Sequence, residues 1–219
     1  MRFILAGAKT EESIAAALNR CGTTYEKVLR PFLQGVFLTD PDQVDAGYGH
    51  LIIKSFVNGC VGIPRLGVAQ LSNVLAKRVS NIEYNTRVDR INGSVVHTAN
   101  GDYTADKILV ATDAITGNQL LGLHELPRMA GCITWYHSAT ENPSGTGRLV
   151  IDAQNRGARY NSITKYEIPA ALPVQSVGRA LSQSIKLSDR HFIAGDHRMV
   201  PSQQGALFSG RLAAQLILN

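Results

Sequence analysis

The segment around Gly195-Asp196 constrains the fold of this chain more than any other part of the sequence. A short apolar strand, Phe192-Ile193-Ala194, precedes this dipeptide, and a polar loop then leads to Gln204-Gly205-Ala206 and an apolar tail typical of a helix. A carboxylate after a strand can accept hydrogen bonds from sugar-like hydroxyls, and the free N–H groups of a helix start can bind a pyrophosphate. The pattern predicts a strand, loop and helix that hold a phosphorylated, hydroxyl-rich cofactor. The alternative is the same three elements without a ligand.

This string resembles the C-terminal flavin-binding signature of the FAD-dependent amine oxidase, protoporphyrinogen oxidase and phytoene desaturase superfamily. In that superfamily the Gly-Asp carboxylate binds the ribityl chain, and the Gly-Ala helix start contacts the pyrophosphate and the flavin edge. The resemblance therefore implies FAD as cofactor, with contacts from Gly195, Asp196, Gln204, Gly205 and Ala206.

Two further segments resemble the same superfamily. Residues 31–37 match its Pro-Phe-x-x-Gly-Val-Phe segment, and Thr86, Val88 and Ile91 precede a strand of the Val-Ile-x-Ala-Thr type at residues 107–112. In the superfamily the backbone of the corresponding valine binds the adenine of FAD. The resemblance implies an adenine contact at Val88, and a plain core valine is the alternative.

Two expected segments are missing from the sequence. A flavoprotein of this group opens with a Gly-x-Gly-x-x-Gly turn that cradles the pyrophosphate, whereas the nearest string here, Gly7-Ala8-Lys9-Thr10, leads into Glu11-Glu12. Several dozen residues that the superfamily carries between the positions of Ile185 and Lys186 are also lacking. We therefore expect a truncated or fragmentary FAD-dependent oxidoreductase that binds FAD weakly or not at all on its own, with a separate chain supplying the Gly-rich half. The alternative is a non-catalytic remnant or partner subunit that retains the substrate-lobe fold.

The expected fold class is α/β of the mixed α+β kind. A partial FAD/NAD(P)-binding domain is assigned to residues 82–114 and 190–219. An antiparallel-sheet substrate domain with helices is assigned to residues 1–81 and 115–189. At 219 residues the chain is long enough to bury a core of this kind.

Helical patterns dominate the first part of the chain. Thr10 is predicted to cap a helix whose apolar face holds Ile14, Ala17, Leu18 and Cys21. A second short helix is predicted from Tyr25 to Arg30, ended by Pro31. Later predictions are a helix over 49–58, a turn over 62–67 and an amphipathic helix with Val68, Leu71, Leu75 and Val79 on its apolar face.

Strand patterns follow. Residues 82–88 alternate as a half-buried strand does, and the dipeptides Asn92-Gly93 and Asn100-Gly101 predict tight turns of a small meander. The apolar run at 107–112 predicts a buried strand, and Asp113 after it is predicted to cap a helix. Further strands are predicted at 133–137, 148–152, 160–164 and 180–185, with a turn at 155–157 and an irregular stretch at 168–174, where two prolines lie.

Composition excludes several classes of function. The net charge of +5 is spread along the chain without a basic run or aromatic platform, which disfavours nucleic-acid binding. Cys21, Cys60 and Cys132 have no metal-ligand spacing, so no metal is expected, and they are predicted to be buried, reduced thiols of a cytoplasmic protein. No apolar run reaches the length of a membrane span, so membrane association is not indicated.

No catalytic side chain is assigned. The histidines are dispersed and are expected to be surface or hydrogen-bonded residues, although His197 follows Asp196 directly and lies where a flavin would be close. Flavin enzymes need few catalytic side chains, because the cofactor carries the electrons. The expected substrate is a small molecule dehydrogenated at a C–N or C–C bond, and amine, porphyrinogen and phytoene-like substrates all fit the resemblance.

Overall fold

The computed structural model describes residues 11–60, 62, 64–138 and 161–219. The helices are α1 (Ile14–Leu18), α2 (Arg30–Phe37), α3 (Ala46–Asn58), α4 (Gln70–Ala76), α5 (Ala114–Leu120) and α6 (Gln203–Leu218). The strands are β1 (Val88–Asn92), β2 (Val95–Thr98), β3 (Gly101–Thr104), β4 (Ile108–Val110), β5 (Met129–Ser138), β6 (Asn161–Pro173) and β7 (His191–Ile193). The fold class is therefore mixed α/β, as predicted. The predicted strand at 148–152 and turn at 155–157 lie outside the described residues.

Strands β1, β2 and β3 form the predicted antiparallel meander. Gly93 and Gly101, the second residues of the two Asn-Gly pairs, have φ of 58° and 127°. These values lie in the region that glycine tolerates and other residues avoid, so the tight turns depend on it. The predicted strand at 82–88 is wrong for its first part, because strand structure begins only at Val88.

Strands β4 and β7 form a parallel pair, although 80 residues of chain separate Val110 from His191. Ile108 pairs with His191, and Val110 pairs with Ile193. Their inner side chains are buried, as is typical of parallel strands. The pairing joins the two segments that the sequence assigned to one cofactor domain.

Strands β5 and β6 form a long antiparallel ribbon. The prediction of an irregular stretch at 168–174 is wrong for all but its end, because β6 continues to Pro173. The register shifts between the pairs Ala130–Leu172 and Cys132–Ile168. Pro169 lies within this shift, where a residue without an N–H is tolerated. The predicted strand at 180–185 is also wrong, since that stretch contains no strand.

A helical core forms where α1, α2 and α3 pack together around Ile14, Leu33 and Phe37, which are almost completely buried. A Cβ atom at Gly49 would lie 2.4 Å from Cγ1 of Ile14, so α1 and α3 approach closely only because this position is glycine. This contact fixes α3 against the beginning of the described chain.

Two helix boundaries differ from the predictions. Helix α1 begins at Ile14, and its N-cap is Ser13, whose Oγ accepts from the N–H of Ala16 at 3.1 Å, rather than Thr10. Pro31 does not end the second helix. A π-helical turn, Tyr25–Leu29, continues directly into α2, and Pro31 occupies its first turn.

Burial also differs from expectation at two places. Helix α4 forms over a shorter stretch than predicted, and the predicted apolar face remains exposed, both at Leu71 and Leu75 on the helix and at Val68 and Val79 outside it. Cys21 and Cys60 are exposed and Cys132 is half-buried, so the prediction of buried thiols is wrong. In the described ranges, no helix has the length and apolar character that crossing a bilayer requires.

Candidate functional site

Asp196 lies directly beyond the carboxyl end of β7, where a short 3₁₀ turn, Asp196–Arg198, packs against α6. The N–H of Gly195 donates to Oγ of Ser209 on α6 at 2.9 Å, which ties the turn to the helix. The Asp196 side chain is 33% exposed. Burial raises the pKa of this carboxyl above its ordinary value, while backbone N–H groups and Arg179 act in the opposite direction. The carboxylate is therefore held half-buried and can accept hydrogen bonds from a ligand.

The close approach of the His197 ring requires glycine at position 195. A Cβ atom at this position would lie 2.5 Å from Cε1 and Nδ1 of His197. The His197 ring is only 3% exposed. Because position 195 is glycine, the backbone before the Asp196–Arg198 turn can lie directly against the His197 ring.

The start of α6 offers two free backbone donors. Ser202 is the N-cap, and its Oγ accepts from the N–H of Gly205 at 3.0 Å. The N–H of Ala206 donates to the carbonyl of Ser202, also at 3.0 Å. None of the described residues accepts a hydrogen bond from the N–H of Gln203 or Gln204. These two groups, at the positive end of a long helix, are the ones that can bind an anion.

Gly205 has a packing role. A Cβ atom there would lie 1.8 Å from the carbonyl oxygen of Val200. The loop before α6 folds back over the first turn of the helix and leaves no space for a side chain. Gly205, one of the residues that the sequence assigned to cofactor contact, therefore has a role in the packing of this loop.

An apolar cavity of about 240 Å³ lies beside the same helix start. Its walls come from α3, from α6 and from the loop directly before α6: Leu51, Ile52, Ser55, Met199, Val200, Ser202, Gln204, Gly205 and Phe208. The free donors of α6 thus lie next to an apolar surface. This combination suits a ligand with an apolar part and an anionic part.

Val88 lies on a different and more open cavity of about 940 Å³. This cavity is bounded by β1, by the residues that follow β4, and by α5 with the turn after it, including Thr86, Arg90, Thr112 and Gln119. The structure therefore packs the turn that contains Asp196 against α6, but of the predicted contacts only Gln204 and Gly205 line the cavity beside the helix start, and Val88 lies on the other cavity.

Asp113 caps α5, as the sequence predicted. Its carboxylate accepts from the N–H groups of Ile115 and Thr116 at 3.1 and 3.0 Å. These hydrogen bonds lower the pKa of Asp113. The carboxylate is thus already engaged by its own helix.

Tyr48 and Arg179 were missed by the sequence reasoning. The hydroxyl of buried Tyr48 donates to the carbonyl of Pro201 at 3.1 Å, and burial together with the nearby Asp196 raises its pKa. Arg179 donates to the carbonyls of Val174 and His197 at 3.2 and 2.8 Å. Neither residue belongs to a sequence motif, and only the packing of distant segments places them beside Asp196.

His197 differs from the prediction of a surface or hydrogen-bonded histidine. It is buried, and neither ring nitrogen has a hydrogen-bond partner. Burial, with Arg198 and Arg179 as further causes, lowers the pKa of its imidazole to about 4. His197 is therefore neutral near pH 7, with one ring nitrogen as donor and the other as acceptor. Its position directly after Asp196 was the signal available in the sequence.

The described residues form a mixed α/β protein with a parallel strand pair and a carboxylate beside a helix start. Within those residues, no group of three or more His, Cys, Asp or Glu side chains could hold a metal ion. No family model, curated protein or solved structure matches the chain.

Proposed function

We propose that this chain belongs to an FAD-dependent oxidoreductase of the amine oxidase or desaturase type. One observation carries the proposal: β4 and β7 pair in parallel, and Gly195-Asp196 follows the second of them. The sequence assigned these two segments to one nucleotide-binding domain because each resembles a segment of such enzymes. Their adjacency supports that assignment, because segments of one domain must meet in space.

The geometry of parallel strands supports a ligand at this place. In open α/β sheets, ligands bind beyond the carboxyl ends of the strands. Thr112 and Asp113 follow β4, and Asp196 follows β7, so polar groups lie at that edge of the pair. Asp113 is engaged as a helix cap. Asp196 remains as the carboxylate available to hydroxyl groups.

The residues around Asp196 fit part of a flavin nucleotide. Asp196 would accept hydrogen bonds from the ribityl hydroxyls, and the N–H groups of Gln203 and Gln204 would face a phosphate. Bound FAD would supply the electron or hydride chemistry. The contribution of this chain is to bind and orient one side of the cofactor.

The Gly-rich half must then come from another segment or a separate chain. Such a turn supplies several charge-assisted hydrogen bonds to phosphate, each worth roughly 1.5–3 kcal/mol. Losing three of them would weaken binding by about a thousandfold or more. The chain alone is therefore expected to bind FAD weakly.

The free edge of β4 is suited to receive that half. Ile108 and Val110 use their backbone groups toward β7, since the N–H of Ile108 donates to Arg190 and the carbonyl of Val110 accepts from Ala194, both at 2.9 Å. Backbone groups alternate in direction along a strand, so those of Leu109 face the opposite edge. Among the described residues no strand pairs with that edge. A sheet of only two parallel strands is unusually small, so a further parallel strand at this edge would bring it closer to the usual size.

The first experiment measures FAD binding by the purified chain. Titration of FAD, followed by the quenching of flavin fluorescence, should give weak binding and a colourless protein. A yellow sample holding about one equivalent of flavin would contradict the expected weakness, and it would strengthen the assignment as a flavoprotein.

The second experiment adds a polypeptide that carries a Gly-x-Gly-x-x-Gly strand, turn and helix and is encoded beside this chain. The mixture should bind FAD and show a flavin spectrum. Replacing Asp196→Asn should weaken FAD binding in the mixture by about tenfold, because a charged acceptor is lost. The control Asp189→Asn alters an almost fully exposed carboxylate on the loop before β7 and should leave affinity unchanged.

The alternative function is a non-catalytic remnant or partner subunit. It is favoured by the position of Val88, which lies apart from the cavity at the start of α6. Such a chain would either bind the Gly-rich polypeptide without FAD in the complex or bind no such polypeptide. Equal FAD affinity with and without the Asp196→Asn change would point to the same conclusion.

A further inference from the structure

A third cavity, of about 270 Å³, lies beside His197 and Arg198 of the Asp196–Arg198 turn. It is enclosed by the turn after α5, by the segment after β6 and by the 3₁₀ turn, with Asn118, Glu125, Arg179, Gln183, His197 and Arg198 among its lining residues. None of the predicted flavin contacts lines it. Its volume is below the roughly 300–1,000 Å³ of common cofactor and drug-sized sites, so it suits a small molecule.

The cavity holds two guanidinium groups without a close counter-ion. Arg179 is fixed by its hydrogen bonds to the carbonyls of Val174 and His197. Burial lowers the pKa of Arg198, and the positive charge of Arg179 lowers it further. In the described part of the chain, no carboxylate forms an ion pair within 4.0 Å of either group, and Glu125 and Asp196 act only from farther away. Two like charges held together in this way favour an anion.

The same wall carries buried polar atoms that have no partner. These atoms are Oδ1 of Asn118, both ring nitrogens of His197 and Nε of Arg198. Asn118 is 2% exposed, and its Nδ2 donates to the carbonyl of Glu125 at 2.7 Å, which leaves Oδ1 as an acceptor. Buried polar groups in proteins are almost always hydrogen-bonded, so a cluster of unpaired ones beside a cavity points to a bound polar molecule that would satisfy them.

The unpaired atoms indicate which hydrogen-bonding groups a ligand should carry. Nε of Arg198 donates, Oδ1 of Asn118 accepts, and the neutral ring of His197 offers one donor and one acceptor. A hydroxyl group both donates and accepts, which matches Asn118 and His197. An ammonium group would be repelled by the two arginines.

We propose that this cavity binds a small hydroxycarboxylate. The carboxylate contacts the guanidinium groups of Arg179 and Arg198. The hydroxyl donates to Oδ1 of Asn118 and accepts a second hydrogen bond from the ring N–H of His197. This proposal does not depend on FAD binding, because the two sites share no proposed contact residue.

The test is isothermal titration of the whole chain with lactate, with propionate as the analogue that lacks the hydroxyl, and with inorganic phosphate. Lactate should bind, and propionate should bind at least about tenfold more weakly, because the buried acceptor would stay unpaired. Arg198→Met should weaken lactate binding at least about tenfold. Arg87→Met, which removes a guanidinium whose side chain is 90% exposed, should leave it unchanged.

Several results would overturn the proposal: no lactate binding by the unmodified chain, equal affinity for lactate and propionate, tighter binding of phosphate than of lactate, or an unchanged lactate affinity in the Arg198→Met variant. If Arg198→Met does not fold, Arg198→Lys takes its place. It keeps the charge but loses the planar donor fork, so lactate affinity should still fall. Unchanged affinity in Arg198→Lys would also count against the arginine contact.

Discussion

The backbone N–H of Gly195 donates a 2.9 Å hydrogen bond to Oγ of Ser209, which is completely buried in α6. The same hydroxyl donates to the carbonyl of Ala206 at 2.7 Å. One side chain thus links the turn after β7 to the helix that follows it. The position of Asp196 relative to the helix start depends on this link.

Replacing Ser209→Ala should destabilise the protein by about 1–3 kcal/mol, because the N–H of Gly195 would lose its acceptor in the interior. Urea unfolding followed by circular dichroism measures the change. Ser72→Ala, at an exposed position of α4, is the control and should alter stability by less than about 0.5 kcal/mol. Equal effects of the two substitutions would show that the Gly195–Ser209 hydrogen bond contributes nothing.

Two glycines of α6 should respond in opposite directions to alanine. Gly205→Ala would place a Cβ atom 1.8 Å from the Val200 carbonyl and should cost about 3 kcal/mol or more. Gly210→Ala meets no atom within 4 Å and should stabilise the helix by about 0.5–1 kcal/mol. Thermal unfolding of both variants gives the comparison. A tolerated Gly205→Ala would mean that the loop before α6 does not fold over the helix as described.

Acid should destabilise the protein through His197. The pKa of this imidazole is lowered to about 4 in the folded state, so protonation favours the unfolded chain. The stabilisation is fully present above the unfolded value of about 6.5 and is lost as pH falls from there to about 4. Between pH 7 and pH 5 the loss should be roughly 2 kcal/mol.

The measurement for His197 is the free energy of unfolding at several pH values for the original chain and for His197→Asn. The variant should show a shallower decrease toward pH 5. The raised pKa of Asp196 has the opposite effect on stability, since its stabilisation is lost as pH rises, but that carboxyl is present in both proteins. Identical slopes would refute the assignment of the acid sensitivity to His197. His124→Asn, at an exposed position, should behave like the original chain.

The proposed pairing of a partner strand with the free edge of β4 can be tested by substitution at Leu109. Leu109→Pro removes the one N–H of β4 that faces the free edge and keeps the hydrogen bonds to β7, so the chain should fold. Its binding to the Gly-rich polypeptide, followed by titration calorimetry, should weaken by about tenfold or more, because a ladder hydrogen bond is lost. Leu109→Ala keeps the N–H and is the matched control. Equal binding of both variants would exclude pairing at this edge.

The sequence predicted best the features whose causes lie within a few residues. The Asn-Gly turns at 92–93 and 100–101 form because glycine alone adopts the required φ without strain. Asp113 caps α5 because its carboxylate reaches the N–H groups two and three residues later. In both cases the deciding interaction is local, so the surrounding fold had no part in it.

Predictions failed where distant segments decide the outcome. Pro31 was expected to end a helix, but the preceding turn is itself helical and the proline falls in the first turn of α2. The apolar face of α4 matches the helical period, yet among the described residues nothing covers it. Pro169 lies in a strand because a register shift opposite Gly131 accommodates it. Periodicity describes what a segment could bury and carries no information on what packs against it.

By itself, the sequence determined a short strand before Gly195-Asp196, a helix opening near Gln204-Gly205-Ala206, and an apolar strand within 107–112, because strand and helix patterns and caps are local properties of the chain. Only the tertiary structure decided that this apolar strand pairs in parallel with β7, that Gly205 packs against the Val200 loop, and that His197 is buried without a hydrogen-bond partner and near Arg179 and Arg198. The physical reason is that burial, charge environment and cavity shape depend on contacts between residues far apart in the chain, and no short pattern records those contacts.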